Sequence, residues 1–280
     1  MISATHRVTT DCPVCGYKKA LSITEMQGKK LYYCHAGCSQ DSLWRVIKGD
    51  VPPTHQPRLK THQRVSNESQ AIVHELWSKS LPAKDTPVES YLKGRSLGGL
   101  IPSDIRYIPD LLHKPTGTRW PVMLAAVTDS KNKIQALHRT YLAIDGVGKA
   151  PVEPVKMTLG PVGGFAVHLA PASRTLAISE GIETALSVMQ STGIPSWSAI
   201  SAGGMRQLVL PPLPLASEIL IAADADAVGL KSANDTAMKL SLEGRSVRIC
   251  TPPQGKDFND VIRALTGVLE SKGIHKSVEM

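Results

Sequence analysis

The sequence predicts a multidomain protein of mixed α/β and α+β class: an N-terminal metal-stapled ribbon, an α+β middle domain and a C-terminal α/β domain. Three observations carry this. Four of the five cysteines (Cys12, Cys15, Cys34, Cys38) fall within 27 residues near the N-terminus. Strand-length apolar runs crowd the middle of the chain around turn residues. From Thr175 onward, strand-like and helix-like runs alternate, the rhythm of a mostly parallel sheet. A chain of 280 residues has room for two domains and a small module.

The first element is the ribbon, residues 1–48. Zinc takes four soft ligands at tetrahedral corners, and Cys12-Pro-Val-Cys15 supplies two from one tight turn. Gly16 permits the backbone twist that such a knuckle needs. Leu21–Thr24 and Lys30–Tyr33 read as strands around a Gln27-Gly28-Lys29 turn. The second knuckle has two usable spacings, Cys34-x3-Cys38 and His35-x2-Cys38. Four cysteines holding one structural zinc is the preferred set, with His35 as the alternative. Ser42–Lys48 reads as a short closing helix. Four cysteines clustered at one end of a chain this long do not fit a secreted disulfide scaffold, which spreads an even count along a short chain.

The charge is unevenly spread. Residues 1–66 hold ten Lys and Arg against four Asp and Glu (+6), whereas residues 174–280 hold ten against eleven (−1). The basic excess marks the N-terminal part as the place to hold a polyanion, with Lys18 and Lys30 for phosphates and the exposed-looking Tyr32 and Tyr33 for bases. The composition, 42% apolar and 20% charged, excludes fibrous and broadly disordered classes. No apolar run approaches the roughly 18 residues of a membrane span, and Met1–Arg7 lacks the core of a signal peptide. The expected location is cytoplasmic.

Residues 49–66, with Pro52, Pro53 and Pro57 among Arg58, Lys60 and Arg64, read as a flexible basic linker. The middle domain, 67–173, opens on Asn67-Glu-Ser-Gln70, which has capping-box spacing ahead of Ile72, Leu76 and Trp77 on one helical face. Thr86-Pro87-Val-Glu89 starts a second helix. Then the period changes to strands: Pro121–Thr128 and Lys133–Leu142 around the Asp129–Asn132 turn, then Val155–Leu159 and Gly164–Leu169.

The C-terminal domain, 174–280, alternates: strand Thr175–Ser179, helix Gly181–Thr192, strand Ser196–Ile200, strand Glu218–Ala223, helix Ala227–Glu243, strand Ser246–Cys250. Ligands of such sheets gather at the strand carboxyl ends. Those ends are acidic here: Glu180, then Asp224 and Asp226, then Asp257. A single acid at a helix start is usually a cap. Several at one sheet edge suit one or two Mg²⁺ or Mn²⁺ ions with retained water. Gly203-Gly204 either lets a nucleotide approach or merely ends a strand.

Ser179-Glu180-Gly181, Asp224-Ala225-Asp226 with Gly229, and the strand–helix alternation resemble the Toprim domain of topoisomerases and primases. The cysteine ribbon resembles the zinc-binding domain of bacterial, phage and plasmid primases. His138-Arg139-Thr140-Tyr141 and Asp145–Ala150 resemble the basic subdomain that precedes Toprim in phage- and plasmid-type primases. The order of ribbon, basic domain and Toprim is more specific than any single motif.

The resemblance implies a DNA primase that makes short RNA primers on single-stranded DNA from nucleoside triphosphates. Glu180, Asp224 and Asp226 would be catalytic and metal-binding, with Asp257 a further acid. Arg139, Lys149 and Lys156 would meet triphosphate or template phosphates, and Lys18, Lys30 and Tyr33 the template. One departure stands out: where many primases carry an aspartate four residues after the glutamate, this chain has Thr184, with Glu183 beside it. Either Glu183 substitutes or one ligand is missing. Gly146-Val-Gly148-Lys149-Ala150 is not a P-loop, so the expectation is a helicase acting in trans in the replication of a phage, plasmid or similar element, in a bacterial host at the nucleoid. The alternatives are a Toprim nuclease and a catalytically silent nucleic-acid-binding accessory protein.

Overall fold

The structure is a computed structural model, and it describes residues 6–26, 29–34, 38, 40–49, 67–99 and 101–271. His35, the Gln27-Gly28 turn and residues 50–66 of the expected linker lie outside the described residues. The chain divides into two compact units, residues 1–63 and 64–280.

In the first unit, β1 (His6–Thr10), β2 (Leu21–Met26) and β3 (Lys29–Cys34) form an antiparallel sheet in that order. Val8 pairs with Ile23, and Ile23 with Tyr32. β1 has no counterpart in the sequence reading, because its Arg-Val-Thr-Thr run has neither clear alternation nor turn residues before it. Helix α1 (Gln40–Ile47) follows. Among the described residues the buried apolar set is Cys12, Ala20, Leu21, Cys34 and Leu43. Five such residues are too few to hold a fold unaided, so the cysteines must contribute.

The second unit starts with α2 (Asn67–Lys79), β4 (Leu81–Pro82) and α3 (Pro87–Gly94). Thr86 caps α3, its hydroxyl accepting from Val88 N at 3.2 Å, with Pro87 in the first turn. Along α2 the core residue is Val73, fully buried, whereas Ile72 is 46% exposed. The Gln70 amide donates to Ile134 O at 2.7 Å.

Strands β5 (Ile105–His113), β6 (Thr118–Thr128), β7 (Ile134–Tyr141) and β8 (Lys156–Leu159) complete an antiparallel sheet in the order β4-β5-β6-β7-β8. The long buried stretch of β6 follows from cover on both faces. Val122, Leu124, Leu137 and Tyr141 pack with Val73 of α2. Met123, Ala125, Val127 and Ala136 pack on the other face with Tyr91 and Leu92 of α3, and with Ile182, Ala185 and Leu186. Those last three belong to the next helix, so one core serves both sheets.

Then come β9 (Val167–His168), β10 (Thr175–Ser179), α4 (Ile182–Thr192), β11 (Ser196–Ser198) and α5 (Ala202–Gln207). The chain continues with β12 (Glu218–Ala222), α6 (Ala227–Leu242), β13 (Ser246–Cys250) and α7 (Phe258–Ser271). The second sheet runs β13-β12-β10-β11-β9, with the first four parallel and β9 antiparallel. The Gly164–Leu169 run therefore supplies the β9 edge of this sheet, while Ala166 within it bridges Thr128 at the end of β6. Packing accounts for Gly204: a Cβ there would lie 2.1 Å from Ala199 O, so glycine lets α5 pack on the end of β11.

Among the described residues, no helix is long and apolar enough to cross a membrane.

Candidate functional site

The cysteines converge. Gly16, at φ 70°, turns the first knuckle, and its N–H donates to Cys12 O at 2.8 Å. Cys34 ends β3 opposite Leu21, and Cys38 approaches from the segment before α1. The four Sγ atoms all lie within 4.8 Å of one another, with Cys12–Cys38 and Cys15–Cys34 each at 3.8 Å. Zn–S bonds of about 2.3 Å at tetrahedral angles demand S···S separations of about 3.8 Å. The donor set and spacing fit one zinc. Burial and the neighbouring sulfurs push the Cys12 and Cys38 thiols up, so four sulfurs packed this closely need a cation to ionise together.

Lys18, Lys30 and Tyr33 are exposed on this unit, Tyr33 at 61%. Tyr32 is placed otherwise than expected: it packs edge-on against Trp44, with ring centroids 5.3 Å apart. Strand alternation puts neighbours on opposite faces, so only one of the two tyrosines can face outward.

In the second unit, Glu180 follows β10 and Asp224 follows β12, its direct parallel neighbour. The Asp224–Asp226 loop is tied to the Gly255–Asp257 loop by Ala225 N donating to Lys256 O at 2.8 Å, which brings Asp257 in. Asp226 caps α6, accepting from Gly229 N at 2.7 Å, and Asp257 accepts from Asp260 N at 2.9 Å. Capping thus explains part of the acidity. It does not explain Asp224, whose Oδ1 is buried with no hydrogen-bond partner. Burial, Glu180, Asp257 and Asp226 push its carboxyl up to about 6. Burial and Asp226 also raise Glu180. Carboxyls that repel one another around an orphaned oxygen are the donor set of a divalent cation, so the residues fit. They are set more openly than the thiols: among the described residues, the cysteine quartet is the group whose ligand atoms all lie within 4.8 Å. Gly229 shapes the loop, since a Cβ there would lie 2.7 Å from Asp224 O and 3.1 Å from its Cβ.

Glu183, in the first turn of α4, does not join these acids. Its carboxylate accepts from Tyr91 Oη at 2.8 Å and pairs with Lys156 Nζ at 3.1 Å and Lys149 Nζ at 3.7 Å. The two lysines hold it down to about 2 against its burial. Thr184 is buried and brings no carboxylate. Beside the lysines, His138 Nδ1 and Thr140 Oγ1 are buried without hydrogen-bond partners, and burial with the Lys156 charge lowers His138 to about 4.

Arg139 differs from its expected role. It is only 9% exposed, Nη2 donates to Thr158 O at 3.0 Å, and Nε is buried and unpartnered. A guanidinium so enclosed braces β7 against β8 and is not offered to a polyanion in solvent. Residues the sequence reading missed are Tyr91, Arg95 and Asn259. Asn259 is fully buried, and its Nδ2 donates to Arg95 O at 2.9 Å and Ser187 Oγ at 3.2 Å. Such partners, up to 164 positions apart, leave no local signal.

Residues 175–266 match the Toprim domain family, and residues 67–169 match a domain of unknown function, DUF7146. The C-terminal part of this chain is a Toprim domain, preceded by a middle domain and a clustered set of four cysteines. Among solved structures, a DNA primase domain from Pseudomonas aeruginosa is similar at 16% identity and TM-score 0.48, over 72% of this chain and 78% of that one. The Aquifex aeolicus primase (zinc-binding and RNA polymerase domains) is similar at 12% identity and TM-score 0.47, over 98% and 80%. The primase fragment of the bacteriophage T7 primase-helicase protein is similar at 14% identity and TM-score 0.40, over 98% and 97%. No curated protein matches the chain.

Proposed function

We propose that this protein is a template-directed nucleotidyltransferase, a DNA primase that makes short RNA primers on single-stranded DNA. The observation that carries the reading is the buried, unpartnered Asp224 Oδ1 among Glu180, Asp226 and Asp257 at the strand ends of a Toprim domain. Glu180, Asp224 and Asp226, with Asp257 beside them, would hold one or two Mg²⁺ or Mn²⁺ ions. Such an ion supplies charge stabilisation for a phosphoryl group in transfer.

The chain's own residues do the rest. Lys149 and Lys156, each with about a third of its side chain open to solvent, meet the triphosphate oxygens. Glu180, raised by burial and Asp226, is suited to take the proton of the attacking 3′-hydroxyl. The hydroxyl oxygen bonds to the α-phosphorus as the bond to the β-phosphate bridge breaks, and pyrophosphate leaves. Lys18, Lys30 and Tyr33 hold the template in the first unit, whose cysteines keep one structural zinc. A replicative helicase in trans, a phage or plasmid setting and action at the nucleoid of a bacterial host belong to the same proposal, as do the domain limits 1–48, 49–66, 67–173 and 174–280.

The test is to incubate the protein with mixed-sequence single-stranded DNA, Mg²⁺ or Mn²⁺ and labelled ribonucleotides, beside Glu180→Gln. Short labelled products that vanish in the variant are expected. Degraded template without products would make it a nuclease. Intact, bound template without products, also when a replicative helicase is added, would make it an accessory protein.

A further inference from the structure

Glu183 is a buried charged group that nucleotidyl transfer does not use directly. Both its oxygens are engaged: Oε1 by Tyr91 Oη at 2.8 Å and Lys149 Nζ at 3.7 Å, Oε2 by Lys156 Nζ at 3.1 Å. Its side chain is 8% exposed, while those of Lys149 and Lys156 are 29% and 36% exposed. The carboxylate is sealed and the ammonium groups are open on their outer side.

Four separate pieces of chain meet at this carboxylate. Tyr91 lies on α3, Lys149 in the loop after β7, Lys156 at the start of β8 and Glu183 on α4. Such convergence costs ordering entropy at every contributor. A buried ion cluster is weak support for stability, because replacing it by apolar residues is often neutral or better. One carboxylate against two ammonium groups also leaves a surplus positive charge. Glu183 sits in the first turn of α4, three positions beyond Glu180, so the surplus lies next to the acidic edge, where the Lys156 charge partly offsets the burial and carboxylate repulsion that raise Glu180 and Asp224.

A hydrated divalent ion could reach Glu183 only by displacing two ammonium groups and a phenol. We infer that Glu183 is a positioning residue that, braced by Tyr91, seats the Lys149 and Lys156 ammonium groups beside the acidic strand ends to receive a nucleoside triphosphate, and that it is not a metal ligand. In this chain the acid next to Thr184 serves the anion and not the cation. The inference rests on the nucleotidyl-transfer reading.

The test uses the full chain and calorimetric binding of Mn²⁺ alone, then of Mn²⁺ with a non-hydrolysable nucleoside triphosphate analogue. Glu183→Gln should leave the Mn²⁺ dissociation constant within about twofold and weaken the analogue about tenfold, the scale of one charge-assisted contact. Lys156→Gln should do the same, Lys156→Arg should retain most of the binding, and the double variant Glu183→Gln with Lys156→Gln should be little worse than either single one. Glu180→Gln should weaken Mn²⁺ itself.

Weakened Mn²⁺ binding in Glu183→Gln would make Glu183 a ligand and overturn the inference. Unchanged analogue binding in that variant would overturn it as well, leaving Glu183 purely structural. A wild type that binds Mn²⁺ but no analogue removes the nucleotidyl-transfer reading and takes this inference with it. Should Glu183→Gln fail to fold, Tyr91→Phe loosens the same carboxylate by one hydrogen bond. A two- to fivefold loss of analogue affinity is then expected, on the order of a single hydrogen bond, and no loss would refute the positioning role.

Discussion

Tyr91 and Glu183, 92 positions apart, share a 2.8 Å hydrogen bond in which the phenol donates to a sealed carboxylate. The bond joins α3, which packs under the antiparallel sheet, to α4, which opens the acidic edge of the parallel one. Removing it leaves a buried charge with less support. Tyr91→Phe should destabilise the second unit by about 2 kcal/mol, the usual cost of losing a hydrogen bond to a charged group. Urea denaturation reads this directly, and a change below about 0.5 kcal/mol would mean that the lysines alone satisfy Glu183.

Falling pH should act on the second unit in two stages, the first nearly balanced and the second destabilising. Glu183 is held down to about 2, below the roughly 4.3 of an unfolded glutamate, so its stabilisation is full above that value and is lost as pH falls toward 2. His138, lowered to about 4, binds its proton more readily unfolded, and its contribution declines as pH falls from roughly 6.5 to 4. Asp224, raised to about 6, works the other way between 6 and 4. In metal-free protein the urea midpoint should change little from pH 6.5 to 4 and fall steeply below, and Glu183→Gln should flatten the steep part.

The first unit should hold one equivalent of zinc. Cys12→Ser or Cys38→Ser should abolish it, measured by atomic emission, and His35→Ala should leave it in place. Because burial raises the thiols of Cys12 and Cys38, adding zinc to the metal-free protein should release protons, detectable in weakly buffered solution. Zinc retained in Cys38→Ser but lost in His35→Ala would assign the fourth ligand to the histidine.

Gly229→Ala should act on Asp224. The added methyl meets Asp224 O at 2.7 Å, and backbone cannot yield as a side-chain tip does. An overpacking cost of about 1–3 kcal/mol is expected. Mn²⁺ affinity should fall with it, although position 229 carries no ligand atom.

Arg139→Met should lower stability and leave the salt dependence of single-stranded DNA binding unchanged, because the guanidinium is bonded inward to Thr158 O. Lys30→Gln, by contrast, should reduce the salt slope by somewhat less than about one.

The sequence made the local devices legible. Cys12-x2-Cys15, the Thr86-Pro87 helix start and the acids after Ser179 and Ala223 act within a few residues, so spacing reveals them. It did not reveal what depends on two distant segments meeting. Arg139 reads as an exposed cation until cover on both sheet faces buries it. Glu183 reads as a spare metal ligand until Lys149, Lys156 and Tyr91 arrive from other elements. Short pieces were lost for a different reason: β1 and α5 carry too few periodic residues to stand out, and β9, two residues long, declares its sheet only through its partner Trp197.

That small strand has a consequence for how the protein comes apart. β9 pairs with β11, while Ala166 just before it bridges Thr128 at the end of β6. His168 stacks on Trp197 at 3.5 Å and hydrogen-bonds Asn132 of the β6–β7 turn at 3.1 Å. The chain is therefore basted through both sheets before the parallel one begins. A fragment cut at Thr175 would carry Glu180, Asp224, Asp226 and Asp257 yet lose the His168 cover over Trp197, together with Lys149 and Lys156. The two sheets should melt as one cooperative block, and the part from Thr175 onward should not be separable as a stable piece.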